Sequence, residues 1–483
     1  MYLGLDLGTS GLRAVLADEA GTILESVEKG YAVANPSPGW SEQDPQLWLD
    51  ACEQGLGELQ RRVPERFRQI QGIGLSGHMH GATLLGADGQ VLRPCILWND
   101  TRSHVEAAKL DQTAGVRERT GNIVFPGFTA PKLLWVREHE PELFSRIHKV
   151  LLPKDYLRLW LTGDWVSECS DAAGTSWLDV QRREWSTDLL AAGEMEPSQM
   201  PGLVEGIEVT GTLRPVLARQ WGLSPSVVVV GGGADNAASA CGAGSLREGE
   251  GFLSLGTSGV ILAARDSCSP MPETAVHTFC HAVPDRWYQM SVMLAATDSL
   301  NWLARNLGRS PKELTGALDK SLSGPQSALF LPYLSGERTP HNDSLIRGAF
   351  LNLDIAADSE QLTRAVLEGV SFGLRDGLEA LRLTGTRPER LLGLGGGTRS
   401  EYWVKLLATV LQVPIDLPEQ GDYGAALGAV RLAQIGAAQM PPEEVILPPR
   451  IAWTVEPDLK QTDDYEAAYQ KFRQLYPVLR GKF

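Results

Sequence analysis

The chain of 483 residues has only six cysteines, Cys52, Cys95, Cys169, Cys241, Cys268 and Cys280, and no Cys-x-x-Cys pair among them. Their scatter suits reduced thiols used as core filler and argues against a disulfide scaffold. Long apolar runs are missing too, since stretches such as Val227 to Val230 fall far short of a membrane span. The opening MYLGLDLGTSG has no basic segment and no apolar segment of signal-peptide length, and it carries an acid at Asp6. A cytoplasmic protein is the expectation. Positive charge is in short supply, with 44 Lys and Arg against 59 Asp and Glu and a formal charge of −15. Such a surface repels nucleic-acid backbones and anionic membranes, so neither is expected as a partner. No GxxxxGK[ST] loop and no GxGxxG occurs, which argues against Walker-type nucleotide hydrolases and Rossmann dehydrogenases. A polyanionic substrate would need some local binding device.

What is present is an ordinary globular composition, 43% hydrophobic, 21% charged and 7% aromatic, in a chain too long for one core. Two domains are expected. An internal repeat supports that count. LGLDLGTSGLRAVLA near the start reads as a β-hairpin around a Gly-Thr-Ser-Gly turn, with a third strand after it, and GFLSLGTSGVILAA repeats the device from Gly251. VVVVGGGADNAASA (Val227 to Ala240) and LLGLGGGTRSEYWVKLLA (Leu391 to Ala408) both read as strand, triple glycine, helix. The order suggests duplication of one α/β domain, with units 1–243 and 244–483 enclosing a cleft. The interval from turn to triple glycine is longer in the first half, so substrate-recognition insertions are expected there. Asp44 and Pro45 predict the start of a helix running to about Leu59, with Trp48, Leu49, Cys52, Leu56 and Leu59 on its apolar stripe.

The turns supply the local device. Consecutive backbone N–H groups and hydroxyls at Gly8, Thr9 and Ser10, and again at Gly256, Thr257 and Ser258, can cradle phosphate oxygens without net positive charge. A single such turn is explained as well by a plain hairpin; two facing one cleft favour phosphate binding. The copies differ where Asp6 corresponds to Ser254, and a carboxylate beside one phosphate turn suits Mg²⁺ held on ATP phosphates, the alternative being a buried, hydrogen-bonded aspartate at a strand end. Asp235 follows the first triple glycine and is expected to be a general base, the alternative being a helix cap. Gly395, Gly396 and Gly397 have no acid beside them and leave room for a nucleoside. His78 and His80 flank Met79 and suit polar recognition of a ligand better than zinc, which needs more ligands; the histidines of the Val276 to His281 segment are read as strand packing. Trp98, Asp100 and Arg102 combine an aromatic face with two charges and are expected to meet a sugar, the alternative being a solvated loop.

GFTAPKLLWVREH (Gly127 to His139) and the stretch from Gly348 to Glu368 resemble the two signatures of the FGGY family of carbohydrate kinases, within the actin-like ATPase superfamily. Asn352 stands where the family usually has glycine. GYAVANPSPGWSEQDP, GHMHGATLL, ILWNDTRS, LLPKDYLRL, SDAAGTSWLDV, FLPYLSGERTPHN and GGGTRSEYW are similar to the branch of the family that phosphorylates D-xylulose, although His78 replaces a glutamine of the bacterial pattern. The resemblance implies two ribonuclease H-like domains around a cleft, ATP and Mg²⁺ as cofactors, and a small sugar as acceptor. It also implies that Met79 and His80 contact the sugar, that Asp235 accepts its proton, and that Asp6 is needed for activity. Asn236 is expected among the sugar contacts, and a homodimer is one of the assemblies left open, since the sequence does not make the oligomeric state legible. The alternatives are another sugar or polyol of the family (ribulose, L-xylulose, glycerol, gluconate), or a non-enzymatic actin-like ATP-binding protein.

Overall fold

The computed structural model describes residues 1–419 and 424–482. Two seven-stranded sheets dominate it. The first contains β1 (Tyr2–Leu7), β2 (Gly11–Ala17), β3 (Ile23–Gly30), β4 (Gly72–Gly77), β5 (Val209–Thr212), β6 (Val228–Val230) and β7 (Gly233–Ala234), in the order β5-β6-β4-β1-β2-β3 with β7 also paired to β4. The second contains β8 (Gly251–Leu255), β9 (Gly259–Arg265), β10 (His277–Cys280), β11 (Trp287–Met293), β12 (Leu391–Leu394), β13 (Ile415–Pro418) and β14 (Ile451–Val455), in the order β10-β11-β9-β8-β12-β13-β14. The helices that matter for the site are α1 (Gln46–Arg62), α2 (Thr129–His139), α3 (Pro153–Thr162), α4 (Asp235–Ala243), α5 (Thr297–Leu307), α6 (Ser359–Leu383), α7 (Glu401–Leu411) and α8 (Ala425–Ala438).

The two sheets repeat one pattern. β1-β2-β3 and β8-β9-β11 are antiparallel triplets; β4 and β6, like β12 and β13, run parallel to the first strand of their triplet; β5 and β14 close the far side antiparallel. Asp6 lies opposite Arg13 and beside Ser76, while Ser254 lies opposite Val260 and beside Leu394, so Asp6 and Ser254 occupy equivalent places. The two triple glycines do not. β12, which leads into Gly395 to Gly397, has the place of β4, whereas β6, which leads into Gly231 to Gly233, has the place of β13. Each run meets its own crowding: a Cβ on Gly231 would overlap the Glu205 carbonyl, and one on Gly397 the Leu255 side chain. Similar sequence at the two strand ends thus reflects similar sterics at non-equivalent positions.

Local signals explain several elements. α1 begins at Gln46, whose amide is accepted by Asp44 at 3.0 Å, and buries the expected stripe, but it runs three residues beyond Leu59 to Arg62. α6 is set by a capping box in which Asp358 accepts the Glu360 and Gln361 amides while Gln361 reaches back to the Asp358 amide. Asn352 adopts φ +57°, a left-handed conformation that asparagine enters more easily than most residues, and its side chain donates to the Ser327 carbonyl at 3.0 Å. The backbone there has a conformation that glycine also adopts readily.

α4 and α8 pack on each other between the sheets. α8 comes from the second half of the chain but lies on β1, β2 and β4 of the first sheet, and α4 reaches β8 and β9 of the second. The packing depends on missing side chains: a Cβ on Gly4 would overlap the Ala426 carbonyl, one on Gly74 the Ala429 carbonyl, and one on Gly428 the Ala238 carbonyl. Between β4 and β5 the chain leaves the sheet for residues 78–208, and this long excursion carries α2, α3 and most of the residues expected at a sugar.

Candidate active site

Three parallel neighbours, β1, β4 and β7, end at the same side of the first sheet. Asp6 is beside Ser76, and Ala234 is beside Gly77, so Asp6, the His78 to His80 segment and Asp235 emerge side by side from the carboxyl ends of the strands. That is where open α/β sheets collect ligands.

The turn after β1 is braced from behind. The Gly8 amide donates to the Gly11 carbonyl at 2.9 Å; Tyr31 donates its hydroxyl to the Gly8 carbonyl at 2.6 Å and its amide to the Ser10 carbonyl at 3.0 Å; Gln43 Nε2 donates to the Thr9 carbonyl at 2.7 Å. The second turn is held by the amides of Ala296 and Thr297, which donate to the Thr257 and Gly256 carbonyls at 2.8 and 2.9 Å, and by the Gly256 amide on the Ser258 carbonyl at 3.1 Å. All these carbonyls are occupied, while the amides of Thr9, Ser10, Thr257 and Ser258 take no acceptor among the described residues. Unpaired amides on a short exposed turn form an anion cradle.

Asp235 is half-buried at the first position of α4, and the cap position is Ala234, which makes no side-chain cap. Its Oδ1 accepts from the amide and the side chain of Asn236 at 2.7 and 2.9 Å; no hydrogen bond to Oδ2 is made among the described residues. Burial, and then the nearby Asp6 carboxylate, push its pKa up to about 7. Asp6 is also raised by burial, against the pull of the Ser76 hydroxyl and of Arg13. Asn236 therefore orients the carboxylate, and its amide nitrogen is already committed to it.

The loop before Asp235 is fixed by a wholly buried charge cluster. Lys154, in α3, meets Asp155 at 2.9 Å, Glu168 at 3.1 Å and Asp171 at 2.9 Å, and Arg158 meets Asp155 at 2.8 Å. Glu168 accepts the Ser170 hydroxyl at 3.0 Å, Ser170 Oγ accepts the Ala234 amide at 3.0 Å, and Arg158 donates to the Gly231 carbonyl. The cluster thus grips both ends of the segment that delivers Asp235.

The family signature in α2 explains itself at His80. This residue has φ +70°, a strained left-handed conformation. Its carbonyl accepts from Thr129 Oγ1 at 3.1 Å and from the buried Lys132 Nζ at 2.8 Å, its Nδ1 meets the Gly174 carbonyl at 2.7 Å, and its ring stacks on Phe128 with centroids 4.6 Å apart. Burial, then Lys132, lower its pKa to about 3, so the ring is neutral. A Cβ on Gly174 would come within 2.5 Å of the imidazole and 2.8 Å of the Met79 methyl. Met79 is buried beneath this seat. His78 packs edge-on against Trp48 at 5.7 Å and is shut away from the surface. No metal-binding group of three or more His, Cys, Asp or Glu residues occurs among the described residues.

Trp98 is 44% exposed and donates Nε1 to Thr9 Oγ1 at 3.0 Å, tying the excursion to the first turn. Asp100 and Arg102, expected to touch a sugar, instead face each other. Arg102 meets Asp100 through Nε at 2.9 Å and Nη2 at 2.7 Å and Glu42 at 2.7 Å, under the Trp40 ring, whose centroid is 3.6 Å from the guanidinium carbon; Asp100 also accepts the Ser41 amide at 2.6 Å. Once desolvated, opposite charges two residues apart neutralise each other more effectively than an uncharged ligand could. This correction makes them loop anchors.

On the second half, a cavity of about 570 Å³ lies between α5, the triple glycine and α7, lined by Thr297, Leu300, Asn301, Gly396, Gly397 and Trp403. Gly395, at φ +89°, turns the chain against Leu255, whereas a Cβ on Gly396 would meet nothing within 4 Å. Nothing in the spacing of Thr297, Asn301 and Trp403 marked them beforehand; distant segments bring them together.

Fold and site together define a two-domain actin-like kinase, and the chain belongs to the FGGY family of carbohydrate kinases: the family's N-terminal domain matches residues 1–242 and its C-terminal domain residues 251–437. Among its relatives, the chain is 46% identical over 485 residues to the xylulose kinase of Escherichia coli (strain K12), and 45% over 483 residues to that of Klebsiella pneumoniae, with 99% of both chains covered each time. Among solved structures, a "xyloylose kinase" from Brucella ovis superposes with a TM-score of 0.98 at 55% identity, covering 99% of both chains. No helix of the described residues is long and apolar enough to cross a membrane.

Proposed function

We propose that this kinase transfers the γ-phosphoryl group of ATP to D-xylulose, giving D-xylulose 5-phosphate, with Asp235 as the base. The observation that carries the mechanism is a half-buried carboxylate with one free oxygen and a near-neutral pKa, beside an anion cradle and the His80 seat. The choice of sugar rests on likeness to xylulose kinases over the whole chain. The sugar's primary hydroxyl gives its proton to Asp235 as its oxygen attacks the γ-phosphorus in line, and the bond to the ADP oxygen breaks. Amides of the turns at Gly8 to Ser10 and Gly256 to Ser258 hold the phosphates, and Met79, His80, Asn236 and Trp98 line the sugar side. Positioning and fixed dipoles supply most of the rate. Units 1–243 and 244–483 are the two domains in this reading, with the cleft between them.

Mg²⁺ fits the donor set: Asp6 and Asp235 are half-buried carboxylates close enough to raise Asp235, a place where added positive charge is favoured. When bound through Asp6, the ion neutralises charge on the transferring phosphates. Asp6→Asn is therefore expected to raise the Mg²⁺ concentration for half-maximal activity by about tenfold or more, the size of losing one charge-assisted contact. Titrating activity against Mg²⁺ at saturating ATP and sugar checks this; an unchanged midpoint would remove Asp6 from the metal.

The nucleoside belongs in the cavity at Gly396. Gly396→Ala has free space in the protein, so the melting temperature should stay put, while the methyl meets bound nucleotide and raises the KM for ATP about tenfold, ~1.4 kcal/mol. Equal KM values would place the nucleotide elsewhere. The activity itself is tested by coupled ADP release over a panel of pentuloses, polyols and aldonates. D-xylulose is expected to give the highest kcat/KM, and preference for glycerol or gluconate would sink the assignment.

A further inference from the structure

One cation near the sugar seat makes no hydrogen bond or ion pair among the described residues. Arg338 belongs to the second half, in the segment after Tyr333, and its backbone is pinned on both sides. Glu337 accepts the amides of Arg338 and Leu294 at 2.8 and 3.1 Å; Thr339 exchanges bonds with Val292 at 3.0 and 3.1 Å and donates its hydroxyl to the Ala275 carbonyl at 2.9 Å. The guanidinium itself is half-buried over the Phe125 ring, 4.5 Å from its centroid, and makes no hydrogen bond or ion pair among the described residues. Its neighbour Glu337, whose carboxyl burial pushes up to about 8, acts on it electrostatically from the adjacent position but makes no ion pair with it among the described residues. A cation withdrawn from water without a partner is costly, and such groups are kept where a ligand completes them.

The aromatic contacts show what it faces. Phe125 packs on Phe128 at 5.6 Å, Phe128 stacks under His80 at 4.6 Å, and Phe125 touches His277 at 5.2 Å. His80 and His277 are the rings that feel the Arg338 charge, whereas Asp235 feels Asp6. The guanidinium therefore lies on the His80 and His277 side of the site. A ketopentose placed with its C5 hydroxyl at Asp235 sends its C1 hydroxyl and C2 carbonyl away from the phosphate turns. Those two adjacent oxygens are acceptors, and the guanidinium has donors in a planar fork suited to such a pair.

We propose that Arg338 is the second domain's specificity-determining contact with the sugar, donating to the oxygens at the end remote from the phosphorylated hydroxyl. The proposal rests on the sugar-kinase reading above. It means that a ketose bound on the first half is also held by the second.

The test compares wild type, Arg338→Met and Arg338→Lys with D-xylulose and with 1-deoxy-D-xylulose, which lacks the C1 hydroxyl. Arg338→Met should lower kcat/KM for D-xylulose at least about tenfold, chiefly through KM, as expected for loss of charged hydrogen bonds. The wild-type preference for D-xylulose over its deoxy analogue should shrink toward one, and Arg338→Lys should restore part of it. KM for ATP should not move, and the melting temperature of Arg338→Met should not fall, since the change removes an unpaired, partly desolvated charge. A kcat/KM within about twofold of wild type, or equal losses on both sugars with the preference intact, would assign Arg338 to structure alone and overturn the proposal. If wild type phosphorylates neither sugar, the ketose-kinase reading fails and takes this contact with it.

Discussion

Asp235→Asn is expected to fold, to bind ATP and sugar, and to lose about 10²- to 10⁴-fold in kcat, the usual contribution of a general base. Shape and the contact with Asn236 survive the change, so neither KM should move much. The wild-type pH profile carries the same information. With its pKa near 7 in the free enzyme, Asp235 is progressively protonated below neutrality, and kcat/KM should fall about tenfold per pH unit there, a limb that Asp235→Asn lacks. Stability runs the other way. The folded pKa lies above the unfolded value of 3.8, so Asp235 favours the fold fully below pH 3.8, and that advantage is lost as pH rises through 7. At pH 8 the asparagine variant should thus melt no lower than wild type, whereas a helix-capping aspartate would have cost about 1 kcal/mol on replacement. Turnover per folded molecule near the wild-type level would end the case for Asp235 as the base.

Gly428→Ala is expected to lower the unfolding free energy by about 3 kcal/mol, at the upper end of overpacking effects. Its new methyl would point into the Ala238 carbonyl, which is backbone inside α4 and has nowhere to go. Gly74→Ala should behave alike against the Ala429 carbonyl, and both changes should lower urea midpoints with little change in slope. Since α8 is the element of the second half that lies on the first sheet, the damage should spread to both halves and not melt one alone. Retention of the wild-type midpoint by either variant would show that α4 and α8 can slide apart at small cost.

The proposed site's parts are short and local in the sequence. The Gly-Thr-Ser-Gly turns, Asp6 at a strand end and Asp235 after a glycine run each follow from a few consecutive residues, and the structure sets Asp6 and Asp235 within electrostatic reach of one another. Asp100 and Arg102 were misread because a charged pair in a loop looks identical in sequence whether it faces a ligand or itself; burial under Trp40 decided it. The triple glycines were paired with each other for a similar reason. Glycine records that something is close, not what, and the strand pairings show different neighbours at each run. Arg338 lies in the quoted segment FLPYLSGERTPHN, but nothing there marks it as a cation that makes no ion pair among the described residues, which only the three-dimensional arrangement shows.

The sequence by itself determined the two-fold α/β repeat, the Gly-Thr-Ser-Gly turns and the acidic residues near them, because strands, tight turns and caps are specified by periodicity and by residues within a turn of one another. Only the tertiary structure decided that α8 crosses to the other half's sheet, that a buried lysine and its three carboxylates steady the Asp235 loop, and that the His80 seat is walled by side chains from both halves. Those arrangements join residues far apart in the chain, where packing and desolvation choose the partner and local propensity has no say.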